Sequence, residues 1–214
     1  MQNVQVLPQF LTERYRDWKE GSYAANSQLF ERLVSDGQHP PAMIISCADS
    51  RVDSVALFGG APGDFFLHRN VANLVPANSD DPIRLCTSSA IEYAVTALKI
   101  RHIVVLGHSG CGGVAGCHAM CSGDAPELEA ADSNVGRWLD VLRPGYDRIK
   151  GSSDDEVAAL EKEGILVSLE NLMSYTFVKD AVESGDLSLH GLWIDIASGS
   201  LLQYDSSAKE FVQV

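Results

Sequence analysis

The chain has 214 residues, enough for one substantial hydrophobic core and too few to require a second, so we predict a single domain over residues 1–214. Its formal net charge of −13 argues against a nucleic-acid partner or an anionic membrane surface and favours a small-molecule substrate. Five cysteines, an odd number, argue against a disulfide framework, and the N-terminus lacks a signal-peptide pattern. No run approaches the roughly 20 apolar residues of a membrane span, so we expect a cytoplasmic protein.

The first 36 residues are predicted to form a helical arm before an α/β core over residues 37–214. Apolar side chains recur at helical spacing over residues 7–20, with Pro8 near the first turn. A second helix is predicted from an Asn26 cap to Gly37, whose place after the last apolar residue suits a helix C-terminus.

Short apolar runs alternate with helical patterns in the rest of the chain. Residues 42–46 and 103–106 are continuous apolar runs, typical of strands buried on both faces. The other predicted elements are a strand at 64–68, a crossover helix at 83–99, helices from Gly112 and over 134–149 and 154–175, and a terminal hairpin over 189–196 and 201–204 turned at Ser198-Gly199. The pattern predicts an α/β fold, with a mostly parallel central sheet flanked by helices and a C-terminal β-hairpin.

Three candidate metal ligands follow two of the predicted strands. Cys47 follows the first, and His108 and Cys111 follow the second, which places all three at the carboxyl edge of a parallel sheet, where ligands gather. Two thiolates and an imidazole are donors that Zn²⁺ takes at tetrahedral sites. Because no fourth Cys or His lies beside either string, the sequence predicts one catalytic zinc ion with an open position.

A charged pair follows the first ligand in the string Cys47-Ala48-Asp49-Ser50-Arg51. If the backbone stays extended, side-chain alternation places Cys47, Asp49 and Arg51 on one side of the chain. The guanidinium can then hold the carboxylate ionised and aim its free oxygen at the open position of the metal. We predict that Asp49 orients zinc-bound hydroxide and admits only species that bear a proton. The alternative interpretation is an ordinary surface ion pair.

A glycine pair, Gly112-Gly113, follows the second string and leads into the predicted helix. Free backbone N–H groups at that helix start can stabilise an oxyanion on the substrate. Two thiolates cancel the formal charge of Zn²⁺, so the bound water should be less acidic than at a three-histidine site, and we expect activity to favour alkaline pH.

Other polar and sulfur-bearing residues are interpreted as structural. Cys117 and Cys121 lie four residues apart on a predicted helix and are expected to face the core, with His118 beside them. Cys86 is also expected in the core. The acidic stretches over residues 124–132 and 154–163 are interpreted as solvated faces.

The two strings together resemble the β-class carbonic anhydrases, whose members share Cys-x-Asp-x-Arg followed by His-x-x-Cys around one zinc ion. The resemblance includes residues 68–76, 90–95, 107–113 and 190–193, and it spans about residues 22–205. It implies reversible hydration of carbon dioxide to bicarbonate and a proton, by attack of zinc-bound hydroxide. It also implies that Asp49 and Arg51 form the catalytic dyad beside Cys47, His108 and Cys111.

The resemblance implies further site residues that spacing does not supply. Gln38 is similar to a glutamine that hydrogen-bonds substrate, Phe66, Val71 and Tyr93 match an apolar pocket for carbon dioxide, and the Gly112 N–H completes its polar side. In the family a neighbouring subunit completes this pocket, so the resemblance implies a homodimer or larger homo-oligomer, with the N-terminal arm as a clasp.

One departure from the family pattern concerns the open position of the metal. Members with an allosteric bicarbonate site carry a tryptophan three residues before the first cysteine, where this chain has Ile44, and they lack the glutamine. We therefore expect Asp49 to stay paired with Arg51 and not to bind zinc.

Two rival functions stay open. The same ligands could hydrolyse carbon disulfide or carbonyl sulfide, which are also linear molecules. Alternatively, the metal could tie two strand ends together in a noncatalytic interaction protein.

Overall fold

The computed structural model describes residues 4–79, 81 and 85–214, and the chain divides into two compact units, Met1–His39 and Pro40–Val214. The first unit holds helix α1 (Gln9–Trp18), which continues as a π-helical turn over Lys19–Tyr23, and helix α2 (Ser27–Asp36). Both predicted helices of the arm are confirmed. Asn26 precedes α2, but its side chain donates to the Ser22 carbonyl and caps nothing. That the whole chain forms a single domain stays a prediction.

A six-stranded mixed sheet forms the centre of the second unit. Its strands are β1 (Ala42–Cys47), β2 (Phe65–Asn70), β3 (His102–His108), β4 (Ser188–Ile194), β5 (Leu201–Asp205) and β6 (Glu210–Gln213), in the order β2-β1-β3-β4-β5-β6. Strands β2, β1, β3 and β4 are parallel to their neighbours in that order. Strands β5 and β6 extend the sheet beyond β4 with antiparallel pairing. The predicted mostly parallel sheet and terminal hairpin are therefore confirmed.

Helices connect and cover these strands. They are α3 (Ser54–Leu57), α4 (Leu85–Glu92), α5 (Gly112–Ser122), α6 (Asn134–Leu139), α7 (Arg143–Ile149), α8 (Glu156–Leu172) and α9 (Thr176–Glu183). A π-helical turn, Tyr93–Ala97, extends α4, and short 3₁₀ turns cover Val71–Asn73, Pro126–Glu129 and Asp140–Leu142. Ile83, the predicted start of the crossover helix, lies outside the described residues.

Strand β1 is buried on both faces, as its continuous apolar run predicts. Met43 and Ile45 pack in one cluster with residues of β3, α4, α8 and α9, whereas Ile44 packs on the opposite face with Leu106 and Ile194. Cys47 follows Met43 and Ile45 in the alternation and belongs to a cluster that includes residues of α5, α6 and α7. This alternation directs the first ligand toward the helices that follow the second ligand.

Two elements of the fold were not predicted, and two residues differ in burial from what the sequence suggested. Helix α9 and strand β6 were not predicted. Cys86 is exposed on α4 and does not belong to the core. Glu161 is buried although it lies in a stretch interpreted as solvated.

Among the described residues, none of the helices has the length and apolar character needed to cross a membrane.

Candidate metal centre

Two short loops carry the predicted ligands at one edge of the sheet. Strands β1 and β3 are adjacent and parallel, with Ser46 opposite Leu106, so both chains leave the sheet at the same edge. We name residues 47–52 the first ligand loop and residues 108–111 the second ligand loop. This arrangement brings together side chains that are about sixty residues apart in the sequence.

Cys47, His108 and Cys111 form a compact cluster with zinc-like geometry. Their ligand atoms all lie within 4.8 Å of one another, and all three residues are buried. The two sulfurs are 3.9 Å apart, close to the ~3.8 Å expected for two thiolates on tetrahedral zinc with Zn–S bonds of about 2.3 Å. Within residues 4–79, 81 and 85–214, no second group of three His, Cys, Asp or Glu residues meets the same distance limit.

The hydrogen bonds of His108 leave one ring nitrogen free for a metal. Nδ1 lies 3.0 Å from the Ser109 carbonyl oxygen, which requires Nδ1 to donate, and the lone pair of neutral imidazole then resides on Nε2. Nε2 is buried without a hydrogen-bond partner. A buried unpaired acceptor is costly, and coordination to zinc would satisfy it.

Backbone N–H groups point at both sulfurs. The N–H groups of Gly113 and Val114 point at Cys111 and act to lower its pKa, although the neighbouring Cys47 and burial raise it overall. A hydrogen bond from the Cys111 thiol lowers the pKa of Cys47, and the backbone N–H of Ala72 acts in the same direction. The donor set therefore fits a cation with affinity for sulfur and nitrogen.

Asp49 and Arg51 form the expected bidentate pair, but through a turn and not through an extended chain. The Val52 N–H donates to the Asp49 carbonyl at 3.1 Å, which reverses the backbone direction after Cys47. Arg51 then donates to Oδ1 of Asp49 from its backbone N–H and Nε, both at 2.9 Å, and to Oδ2 from Nη2 at 2.6 Å. These bonds hold the pKa of the Asp49 carboxyl well below its usual range.

Comparison with known proteins decides the family. A protein-family model described as "Carbonic anhydrase" matches residues 42–201. A carbonic anhydrase of Synechocystis is 35% identical over 215 residues, which cover 95% of this chain and 73% of the relative. The solved β-carbonic anhydrase CcaA superposes with a TM-score of 0.82 at 33% identity, covering 96% of this chain and 91% of that one. A tetrameric β-carbonic anhydrase of the fungus Sordaria macrospora superposes with a TM-score of 0.77 at 28% identity, covering 91% of this chain and 94% of that one.

The chain belongs to the β-class carbonic anhydrases. Its reaction is the reversible hydration of carbon dioxide to bicarbonate and a proton, and its cofactor is zinc. The fold and function implied by the sequence resemblance are thereby confirmed.

Phe66 and Tyr93, two of the residues assigned to the substrate pocket of this carbonic anhydrase, lie together, with ring centroids 5.9 Å apart. Val71 lies close to the start of α5. A Cβ added to Gly113 would lie 2.7 Å from a Val71 methyl carbon. A side chain at Gly113 would therefore force Val71 to shift, whereas a Cβ on Gly112 would meet nothing within 4 Å. Gln38 lies in the first unit, and its role stays a prediction.

Sequence reasoning missed one contact that shapes the first ligand loop of this carbonic anhydrase. The Arg69 guanidinium, on β2, donates from Nε to the Cys47 carbonyl at 3.0 Å, and from Nη2 to the carbonyls of Asp49 at 2.7 Å and Val52 at 2.9 Å. Arg69 belongs to the family-like segment 68–76, and that position was the only available signal.

Cys117 faces the core, as predicted, and Cys121 is partly buried against the same cluster. The sulfurs of Cys117 and Cys121 are 4.0 Å apart, and the Cys117 thiol donates to the Leu139 carbonyl in the core. His118 contacts Glu156 at 2.8 Å, on the neighbouring helix α8.

Proposed function

We propose that Asp49 and Arg51 are the catalytic dyad of this carbonic anhydrase, beside zinc held by Cys47, His108 and Cys111. When bound, zinc supplies a Lewis acid that lowers the pKa of a water molecule enough for attack on carbon dioxide near neutral pH. The observation that supports the dyad is the three-bond contact between Arg51 and Asp49 in the loop that begins with a ligand.

The two oxygens of Asp49 are used unequally, and this inequality suits an orienting role. Oδ1 receives two N–H groups, whereas Oδ2 receives only one and keeps a lone pair for a further donor. Since Arg51 keeps the carboxylate ionised, Oδ2 can only accept. It accepts the hydrogen of the attacking oxygen and so aims that oxygen's lone pair at carbon dioxide. Anions without a proton are disfavoured at the same place by charge repulsion.

The substrate pocket in this proposal has one apolar and one polar side. Phe66, Val71 and Tyr93 hold carbon dioxide, which has no net dipole and gains little from charged neighbours. The Gly112 N–H and Gln38 stabilise the oxygen that becomes negative during attack. Asp49 keeps its contact with Arg51 throughout and does not become a zinc ligand.

Assembly into a homodimer or larger homo-oligomer completes the proposal. Val71 and Tyr93 are 42% and 48% exposed, an unusual state for residues that must exclude water from a substrate. The arm also exposes Phe10, Leu11, Tyr15 and Trp18, which are suited to clasp a second copy. The tetrameric Sordaria relative supports assembly. A cytoplasmic location is favoured because all five cysteines are unpaired, as a reducing compartment keeps them.

Stopped-flow measurement of carbon dioxide hydration tests the dyad. We expect Asp49→Asn and Arg51→Met to lower kcat by roughly 100-fold or more while zinc content stays at one per subunit. Asp53→Asn is the matched control, because Asp53 lies nearby and only caps α3 through the N–H groups of Val55 and Ala56. Undiminished turnover in Asp49→Asn would refute the dyad, and faster turnover of carbonyl sulfide or carbon disulfide than of carbon dioxide would reassign the substrate.

A further inference from the structure

Helix α8 carries a carboxylate into the protein interior next to the second ligand loop. Glu161 is only 4% exposed, and none of the ion pairs found among the described residues includes it. Burial of a carboxylate without a cationic partner costs several kcal/mol unless hydrogen bonds compensate it. The contacts of Glu161 therefore indicate what the position does.

Two glycines allow α8 to approach the sheet closely enough to place Glu161 there. A Cβ on Gly107 of β3 would lie 2.8 Å from Cδ1 of Ile165, and a Cβ on Gly191 of β4 would lie 2.9 Å from its Cγ2. Ile165 is one helical turn after Glu161 on the same face. The close packing thus sets Glu161 at the sheet edge where β3 ends in His108.

The Glu161 carboxylate is an acceptor for the backbone of a zinc ligand. Oε1 accepts the Cys111 N–H at 3.0 Å, and Oε2 accepts the Trp193 indole N–H at 3.3 Å. Hydrogen bonds to an ionised acceptor are about twice as strong as neutral ones. Trp193 holds one oxygen so that the other faces the ligand loop.

Other contacts secure the rest of the second ligand loop, and the Cys111 carbonyl accepts the Ala115 N–H at 3.0 Å, whereas the Cys111 N–H has Glu161 as its acceptor. The Ser109 N–H donates to the Ile194 carbonyl at 3.0 Å, and the Gly110 carbonyl accepts Nη2 of Arg51 at 2.9 Å. Gly110 has φ of +64°, so the chain bends sharply immediately before the ligand. Without Glu161, the N–H of the ligand residue itself would be buried and unpaired.

We propose that Glu161 is a positioning residue for Cys111, which holds the thiolate in place for zinc and slows loss of the metal. The proposal rests on zinc binding at the cluster and not on the roles proposed for Asp49 and Arg51. The carboxylate does not touch the metal and acts through the peptide N–H of Cys111.

The test is the rate at which zinc-loaded enzyme transfers its metal to a chromogenic chelator. We expect Glu161→Ala to release zinc about 10-fold to 100-fold faster, the usual loss for an outer-shell partner of a ligand. Glu161→Gln keeps one amide oxygen for the Cys111 N–H but turns its NH2 group toward the Trp193 N–H, so its zinc release should fall between wild type and Glu161→Ala. The cobalt-substituted protein supplies a second readout, because its sulfur-to-cobalt absorption should shift more in Glu161→Ala than in Glu161→Gln.

Ser168→Ala is the matched control on the same helix. Ser168 is fully buried, accepts the Val75 N–H and donates to the Asn73 carbonyl, so its loss destabilises the fold without touching the second ligand loop. Equal zinc release in Glu161→Ala and wild type, or equal acceleration in Ser168→Ala, would overturn the proposal. If Glu161→Ala does not fold, Trp193→Phe replaces it, and unchanged zinc release there would also overturn the proposal. Wild-type enzyme without bound zinc would instead refute the metal site itself.

Discussion

The two ligand loops are held by side chains of opposite charge, and the difference follows from what each backbone presents. The first ligand loop turns with three carbonyl oxygens directed at the cationic Arg69. The second ligand loop leads into α5 and presents an N–H group to the anionic Glu161. A helix start carries unpaired N–H donors, and the first ligand loop presents carbonyl oxygens, so the charge of each anchor matches the backbone groups that it contacts.

Removing a ligand from either loop should have the largest effect, because both loops supply ligands to the same zinc ion. We expect Cys47→Ser and Cys111→Ser each to lose zinc and at least 100-fold of carbon dioxide hydration. Metal analysis with stopped-flow assay measures both. Cys86→Ser, at an exposed cysteine on α4, should leave zinc and activity unchanged. Retained zinc and turnover in Cys47→Ser would refute the assigned ligand set.

Removing the cationic anchor should affect the first ligand loop alone. Arg69→Met deletes three charge-assisted hydrogen bonds, so Asp49 loses its fixed direction, and we expect kcat to fall about 10-fold with zinc largely retained. Arg148→Met is the control, because Arg148 pairs with Glu163 and Glu170 on the surface. If both variants behave alike, the anchor role of Arg69 is wrong.

A smaller effect is expected when α8 is pushed away from the sheet beside the second ligand loop, and it should appear as a loss of stability. Gly107→Ala places a methyl group 2.8 Å from Ile165, and we expect a loss of about 1–3 kcal/mol in the free energy of unfolding, measured with urea. Gly21→Ala, where an added Cβ meets nothing within 4 Å, should change stability little. An unchanged unfolding midpoint in Gly107→Ala would show that the helix can shift freely.

The smallest expected effect is an acid sensitivity that involves neither anchor. Burial lowers the pKa of His68 below its usual value of 6.5, so the unfolded chain binds more protons than the folded protein below that pH. This contribution to stability is complete above about pH 6.5 and is lost as pH falls through the folded pKa. We expect His68→Gln to reduce the drop in Tm between pH 7.5 and 5.5 by roughly 1–2 °C. An unchanged drop would assign the sensitivity to other groups.

Local sequence patterns were sufficient for strands β1 to β5 and for the ligands. The continuous apolar runs of β1 and β3 are typical of strands in a sheet that is covered on both faces. Cys47 and His108 stand at the ends of these strands. The same reasoning failed for the backbone after Cys47, where an extended chain and a turn both bring Asp49 near Arg51. It also failed for Cys86 and Glu161, because the burial of one residue depends on which element packs over it.

The sequence by itself indicated the α/β class, the three sulfur and nitrogen donors and the identity of the charged pair, since each of these is visible in short local strings of residues. Only the tertiary structure decided which side chains hold the two ligand loops. Arg69 reaches its first carbonyl across 22 residues, and Glu161 reaches the Cys111 N–H across 50. Such contacts exist only after strand order and helix packing have brought distant segments together, and periodicity carries no information about them.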